Sequence, residues 1–446
     1  MKDKLSAALA SGTVVLGAYQ ARRPKPLGIH YSDAPTKVLV LGGGFGGLAA
    51  VRKLAQAFGG SRDVGVALLD RVNYTTFWPM VPAAISGDIE VRHVATSIRR
   101  ILKPLGAEFF QAEVVGVDFD AREVHSNVGS FSYDYLILAP GSRTAYFGAS
   151  GARENVIDLK GLRAALRVRN AIIDRFEEAE RLRGAFADDL LTFVVVGGGP
   201  TGVEAVADSH DLIFDVLRGD YPGVDFDRAR LVLVNSGDHI LQGLDPVLVH
   251  AAERRLASQR VEIIDKVKAK EVRPDAVVLS DDRTIPARTT IWAAGVEPPP
   301  LVKELDVPKD SRGHVVVDEF LRVTDRPGVY AVGDCASVKV DGHYVPALAQ
   351  AAEQEGATGA RNLAAEIRGG DPTPFRYRDL GQFVDLGTTS ALGDILGVRF
   401  SGLLGALMWK GVYLYKLGYN LNRARVLADW TVDLFARPDT SKFMDD

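Results

Sequence analysis

TKVLVLGGGFGG, residues 36–47, is the stretch whose reading decides the fold. Val38, Leu39, Val40 and Leu41 form an unbroken apolar run, the pattern of a strand buried on both faces of a parallel sheet. Gly42, Gly44 and Gly47 follow at once in GxGxxG spacing. Residues 48–58 then place Leu48, Val51, Leu54, Ala55 and Phe58 on one helical face. Strand, glycines and helix in that order are the context in which this spacing marks a dinucleotide-binding turn. Gly42 permits the tight turn, Gly44 lets the backbone approach a pyrophosphate, and Gly47 lets helix and strand pack closely. The helix start supplies unpaired N–H groups and a partial positive charge for the phosphates. A second strand, 64–69, ends at Asp70, where a carboxylate reaches a ribose hydroxyl.

The pattern returns. Residues 191–196 read as an apolar strand, Gly197, Gly199 and Gly202 repeat the spacing, a helix begins at Gly202, and a further strand covers 231–234. Residues 108–139 alternate through short strands and turns and end in YDYLILAPG, closed by Pro140 and Gly141. Residues 266–295 repeat that meander and end in TTIWAAG. Gly42 and Gly197 are 155 residues apart, Gly141 and Gly295 are 154 apart, so both copies keep one register. The chain holds two copies of one dinucleotide-binding unit.

Composition sets limits. A chain of 446 residues predicts two or three domains with room for large cores. A net charge of −4 gives no pull toward nucleic acid, so no nucleic-acid partner is expected. The single cysteine, Cys335, excludes an intrachain disulfide, a CxxC redox pair and a cysteine-based metal site, and it reads as a small packing residue. The eight histidines show no HxH or HExxH spacing, and no metal is expected. No apolar run reaches the ~20 residues a membrane-spanning helix requires.

The first 35 residues read as a retained, surface-bound extension in preference to a cleaved signal, because no small-x-small cleavage site follows the mildly apolar stretch 5–19. After Asp70, residues 71–90 form a loop whose Tyr74, Phe77, Trp78 and Met80 suit either core packing or a wall beside a flat ring system. A helix over 162–182 has an apolar face and a solvated acidic one. Residues 329–332 deliver Gly333 and Asp334 to a loop, where the carboxylate meets sugar or ribityl hydroxyls or serves as a helix cap. A helix over 348–367 follows, then a linker over 372–377. Residues 395–428 contain no acidic residue but carry Arg399, Lys410, Lys416, Arg423 and Arg425 among leucines and aromatics. That mixture suits a helix lying in a membrane interface, or else a dimerisation or core-packing helix.

Two dinucleotide units, the second inserted in the first, resemble the two-dinucleotide-binding-domain flavoproteins. Within them the chain most resembles the type II NADH:quinone oxidoreductases, single-subunit enzymes that do not pump protons. NYTTFWPMVP from Asn73, TGVE from Thr201, IWAAGVEPPPL from Ile291, GDCA from Gly333, AQAAEQEG from Ala349 and PFRYRDLG from Pro374 carry the resemblance, which spans residues 36–437. It implies an α/β fold with two Rossmann-like domains: FAD on residues 36–150 and 301–375, NAD(P)H on 151–300. Residues 1–35 are then an N-terminal extension and 376–446 a C-terminal membrane-anchoring region.

The resemblance implies that FAD is held by Gly42, Gly44, Phe45, Gly46, Gly47 and Asp70. Pro79, Val114, Ala139, Gly141, Gly333, Asp334, Ala349 and Gln350 complete that set. NADH, or NADPH, is held by Gly197, Gly199, Thr201, Gly202, Glu204, Asn235, Ala294 and Gly295. Hydride passes from the nicotinamide to the flavin and two electrons pass on to a quinone near Ala349, Gln350 and Gln354. Glu204 positions the nicotinamide or relays a proton, or is simply a first-turn glutamate favoured by the helix dipole. The implied setting is peripheral, on the cytoplasmic side of the cell membrane, with a homodimer compatible.

Two positions depart from the family pattern. Asn235 stands where a glutamate usually ends the second strand of the NADH unit, which opens NADPH use. Glu355 replaces the second glutamine of AQxxxQQG, which bears on the quinone headgroup accepted. The rival readings are a sulfide:quinone oxidoreductase, which requires a cysteine pair this chain lacks, a ferredoxin-type reductase, and a low-turnover flavin redox sensor.

Overall fold

The computed structural model describes residues 24–442 except Leu396 and Arg437. The expected extension lies largely outside the described residues. The chain folds as two compact units. The first comprises residues up to Thr76, Thr96–Arg143 and Val296–Leu380; the second comprises Phe77–Ala95, Thr144–Gly295 and Gly381 onward.

The first unit is built on a five-stranded parallel sheet. Its order is Val329–Ala331, Tyr135–Leu138, Thr36–Leu41, Val64–Asp70, Glu108–Gln111. Val38, Leu39 and Val40 are fully buried, as an apolar run covered on both faces must be. The sheet of the second unit, also parallel, runs Ile157–Asp158, Thr289–Trp292, Thr192–Val196, Arg230–Val234, Val261–Ile264. In each sheet the strand ahead of the glycines is central. The duplication extends to register: Leu41 faces Leu138 in one sheet, and Val196 faces Trp292 in the other. Each copy also carries a three-stranded antiparallel meander, over residues 114–132 in the first and 269–286 in the second.

The C-terminal segment corrects the sequence reading. The single interfacial helix expected over 395–428 is a strand, Val398–Phe400, and two helices, Gly402–Lys416 and Asn420–Asp433. The break falls where Leu417 turns extended and inward and Gly418 follows, a residue poorly suited to a helix interior. An antiparallel sheet of Gln382–Asp385, Ala391–Ile395 and Val398–Phe400 precedes them. Gly405 lets the first helix lie directly on that sheet, since a β-carbon there would sit 2.0 Å from the Ala391 carbonyl oxygen. Trp409, Leu417 and Val426 are buried in the core of the second unit. Tyr413 packs edge-on against Phe77, Phe383 and Trp409. Among the basic residues expected to face headgroups, Lys410 pairs with Asp88 and Arg399 with Asp245. No described helix is long and apolar enough to cross a membrane.

Candidate active site

In the first unit, the turn after the Thr36–Leu41 strand has the geometry its glycines suggest. Gly42 has φ +106°, and a β-carbon on it would lie 2.1 Å from the Ala139 carbonyl oxygen. A β-carbon on Gly47 would lie 1.9 Å from the Gly42 carbonyl oxygen. Gly44 is different: its added methyl meets nothing within 4 Å. Gly44 also caps the Phe45–Phe58 helix with no side-chain hydrogen bond. Open space therefore lies over Gly44 at the start of this helix, which fits the close approach of a phosphate. Asp70 closes the turn from behind, its Oδ2 accepting the Gly43 N–H at 2.7 Å and its Oδ1 the Val72 N–H at 3.0 Å.

The chain returns to this turn through the Val329–Ala331 strand. Asp334 accepts a hydrogen bond from the Ser142 hydroxyl at 2.6 Å, next to Gly141, whose own α-carbon opens onto free space. The Ala349–Ile367 helix crosses the Phe45–Phe58 helix, with Gly356 against the backbone of Gly46. A cavity of about 210 Å³ opens beside its first turn, lined by Gly333, Asp334, Ala352, Glu355, Arg312 and His314. Glu355 is buried and its Oε2 accepts the Gly333 N–H at 2.6 Å. Burial, reinforced by the charge of Asp334, pushes its carboxyl up to about 7. Glu355 thus holds the Gly333–Asp334 turn.

Gln350 and Gln354 grip the chain that follows. Gln350 donates to Asp379 and accepts the Leu380 N–H; Gln354 donates to the Arg378 carbonyl and accepts the Arg378 N–H. Ala349 opens the helix and Val114 opens a meander strand. Pro79 lies in the Trp78–Met80 turn, which belongs to the second unit. The open turn at Gly44, the free space over Gly141, the Asp334 carboxylate and the start of the Ala349–Ile367 helix, all in one unit, fit FAD.

The second unit repeats the turn. Gly197 has φ +124° and would clash with the Ala293 carbonyl at 2.4 Å, and Gly202 with the Gly197 carbonyl at 1.8 Å. Gly199, like Gly44, meets nothing within 4 Å. The helix starts at Pro200, two residues before the expected position, because proline suits the first helical turn. Thr201 is exposed in that turn. Gly295 has φ +145°, and the exposed Phe147 ring lies 3.1 Å from the position a β-carbon on it would take. Phe147 itself has φ +50°, rare for a bulky residue. Ala294 precedes Gly295 in the same loop.

Asn235 is buried at the end of the Arg230–Val234 strand, and its side-chain N–H groups reach the Gly237 carbonyl at 3.2 Å and Asp265 at 2.6 Å. Glu204 is buried too, and its Oε1 accepts the Asp385 backbone N–H at 3.3 Å. Burial first, and then the Asp385 charge, hold Glu204 well above the ordinary carboxylate range. It is therefore not a solvent-facing helix-dipole glutamate. Sequence reasoning missed Asp265, Phe147 and the carboxyls around Glu204. The last had a signal, the spacing of Glu204, Asp208, Asp211 and Asp215.

The pyridine nucleotide-disulphide oxidoreductase family model matches residues 36–356. The chain is 32% identical to the mitochondrial internal alternative NAD(P)H-ubiquinone oxidoreductase A1 of Arabidopsis thaliana, over 95% of this chain and 89% of that one. It is 31% identical to the type II NADH:quinone oxidoreductase of Mycobacterium tuberculosis, over 89% and 87%. Its fold is similar to that of NDH2 from Plasmodium falciparum in complex with NADH, with a TM-score of 0.82 at 19% identity, covering 92% of this chain and 100% of that one. The chain belongs to the pyridine nucleotide-disulphide oxidoreductase family and, within it, to the type II NADH:quinone oxidoreductases.

Proposed function

We propose that the chain oxidises NAD(P)H and reduces a membrane quinone without pumping protons. The observation that carries this reading is the pair of open cradles at Gly44 and Gly199, one per nucleotide, in a chain of this family. FAD, held by residues of 36–150 and 301–375, supplies the two-electron chemistry that links a hydride donor to a quinone. The protein supplies orientation and charge. Gly42, Gly44 and Gly47 would give the FAD pyrophosphate its backbone approach, Asp70 and Asp334 would take ribose and ribityl hydroxyls, and the start of the Ala349–Ile367 helix would supply a positive helix end to a reduced flavin. Gly197, Gly199 and Gly202 give NAD(P)H the same approach within residues 151–300, with Ala294 and Gly295 beside the nicotinamide end. Glu204 holds a proton at a buried carboxyl and hands it on during quinone reduction. Gln350 and Gln354 shape the quinone pocket by fixing the chain at 378–380.

Residues 376–446 seat the protein peripherally on the cytoplasmic face of a membrane. Leu403, Leu404 and Leu407 support this, since all three are more than half exposed on one stretch of the Gly402–Lys416 helix, at 65%, 59% and 62%.

The test is direct. Purified protein should be yellow, bleach on anaerobic addition of NADH or NADPH, and recover its colour on addition of a quinone. Failure of both nucleotides to bleach it would refute the reading.

A further inference from the structure

Phe147 is costly to the fold in two ways. Its ring is 72% exposed, and apart from residues 434 and 435 no large apolar side chain among the described residues is more so. Its backbone holds φ +50°, and no other aromatic among the described residues has a positive φ. A β-carbon crowds the backbone in that region, so a bulky residue there is strained. Strain of this kind persists only where the surroundings impose it, and it collects at ligand clamps.

The surroundings of Phe147 do impose it. The Ala145 N–H donates to the Gly295 carbonyl at 3.0 Å, and the Trp292 indole N–H donates to the Ala145 carbonyl at 2.8 Å. Trp292 is buried at the end of the Thr289–Trp292 strand. Tyr146 packs inward against it, with ring centroids 5.9 Å apart, and the Arg153 guanidinium lies 5.3 Å from the Tyr146 centroid. The Ala149 N–H closes the turn on the Tyr146 carbonyl at 3.0 Å. With both neighbours pinned, the Phe147 ring stands over Gly295, 3.1 Å from the place of a β-carbon there.

The order of the sheet decides which half of NAD(P)H meets this ring. The Thr192–Val196 strand is central and carries the glycine turn, the place of the pyrophosphate. Its neighbour on one side, Arg230–Val234, ends at Asn235, the place of the adenosine ribose. Its neighbour on the other side, Thr289–Trp292, runs into Ala294 and Gly295. Val234 and Trp292 both stand level with Val196. A dinucleotide gripped at its centre sends its two halves to opposite sides, so the nicotinamide half lies toward Gly295 and Phe147. Nicotinamide is flat, and its oxidised ring carries a positive charge that an aromatic face attracts.

We propose that the Phe147 ring is the platform on which the nicotinamide half of NAD(P)H lies, held ready by the strained turn. The inference rests on the NAD(P)H reading above and adds the side chain that grips the reactive half. A bound nicotinamide covers the exposed ring, so the apolar surface that costs the free protein stability contributes to binding instead.

The test uses full-length, FAD-loaded Phe147→Gly and Phe147→Tyr, titrated calorimetrically with NAD⁺ and with ADP-ribose, which lacks nicotinamide. Phe147→Gly should bind NAD⁺ about tenfold more weakly and ADP-ribose within about twofold of the parent. Phe147→Tyr should keep both affinities within about twofold. Thermal unfolding of Phe147→Gly should match or exceed that of the parent, because glycine takes a φ of +50° freely. Anaerobic bleaching of Phe147→Gly by dilute NADH should slow by about tenfold. Unchanged NAD⁺ affinity in Phe147→Gly, or equal loss of NAD⁺ and ADP-ribose, would overturn the proposal. So would a melting temperature lowered by more than a few degrees, which would make the ring a part of the fold. If the parent binds neither NAD⁺ nor NADP⁺ and neither reduced form bleaches it, the NAD(P)H reading falls and this inference with it.

Discussion

Asn235 donates a side-chain N–H to Asp265 Oδ1 at 2.6 Å. The strand end that would ordinarily present its own carboxylate to the nucleotide ribose presents an amide with a carboxylate directly behind it. Two unit charges about 4 Å apart near a protein surface repel by about 1 to 4 kcal/mol, so Asp265 restores much of the penalty on a 2′-phosphate that Asn235 alone would remove. Asp265→Asn should therefore raise the ratio of kcat/KM for NADPH to that for NADH by about tenfold, equivalent to ~1.4 kcal/mol. Steady-state kinetics with both nucleotides checks this, and an unchanged ratio would remove Asp265 from the specificity argument.

The two open cradles separate the two nucleotides. Gly44 and Gly199 have φ of −79° and −75°, which alanine adopts freely, and the added methyl meets no protein atom. Gly44→Ala should fold but purify with little FAD. Gly199→Ala should purify yellow with a KM for NADH raised by about tenfold, while dissociated flavin content stays at that of the parent. Gly47→Ala, pressed onto the Gly42 carbonyl, should not accumulate as folded protein. Flavin stoichiometry by absorbance decides all three.

Glu355 gives a pH signature. Its folded carboxyl titrates near 7 against an ordinary 4.5. The folded state thus holds a proton that the unfolded chain has released between those values, so stability falls as pH rises from about 4.5 to about 7 and then levels off. The difference corresponds to roughly 3 kcal/mol. Glu355→Gln keeps the shape and a hydrogen-bond acceptor for Gly333, and should flatten that part of the profile. Urea unfolding at pH 5 and pH 8 should show the variant gaining on the parent at the higher pH; equal gains at both would refute the assignment.

The C-terminal helices both fill a core and display leucines. Removing residues 399–446 would expose the core around Trp409, Leu417 and Val426 and unfold the second unit, so it does not isolate membrane attachment. Replacing Leu403, Leu404 and Leu407 by serine should leave thermal unfolding within a few degrees of the parent, because these side chains are exposed. Co-sedimentation with anionic lipid vesicles should nevertheless drop by about tenfold. Trp409→Ala makes the opposite case, with about 3 to 5 kcal/mol of lost stability expected from a buried aromatic.

The two nucleotide units were legible because each is written locally. The run before Gly42 and its copy before Gly197 state strand, turn and helix within about twenty residues, and the matching offsets tie the copies together. The rest depends on contacts between distant residues. Asp265 lies thirty positions beyond Asn235 and joins it only through neighbouring strands. Strand residues 382–400 are short and mixed, with buried Asp385 at a position a pattern reader would turn outward. In the Gly402–Lys416 helix, aromatic and basic residues looked alike from sequence. Packing sends Trp409 and Lys410 inward and Leu403, Leu404 and Leu407 outward.

The approach of Gly356 to the Gly46 backbone, where a β-carbon would fall 2.0 Å from the Gly46 oxygen, joins the start of the chain to a helix made much later. During synthesis the whole second glycine turn and its sheet emerge between these two partners. The strands and glycine turn of the inserted nucleotide unit are therefore made while the first turn still waits for its covering helix, and that unit's own core is completed later still, by residues 381 onward. Stable FAD capture becomes a late event in biogenesis, and a nascent chain stalled before Gly356 would be an apoprotein whatever the supply of flavin.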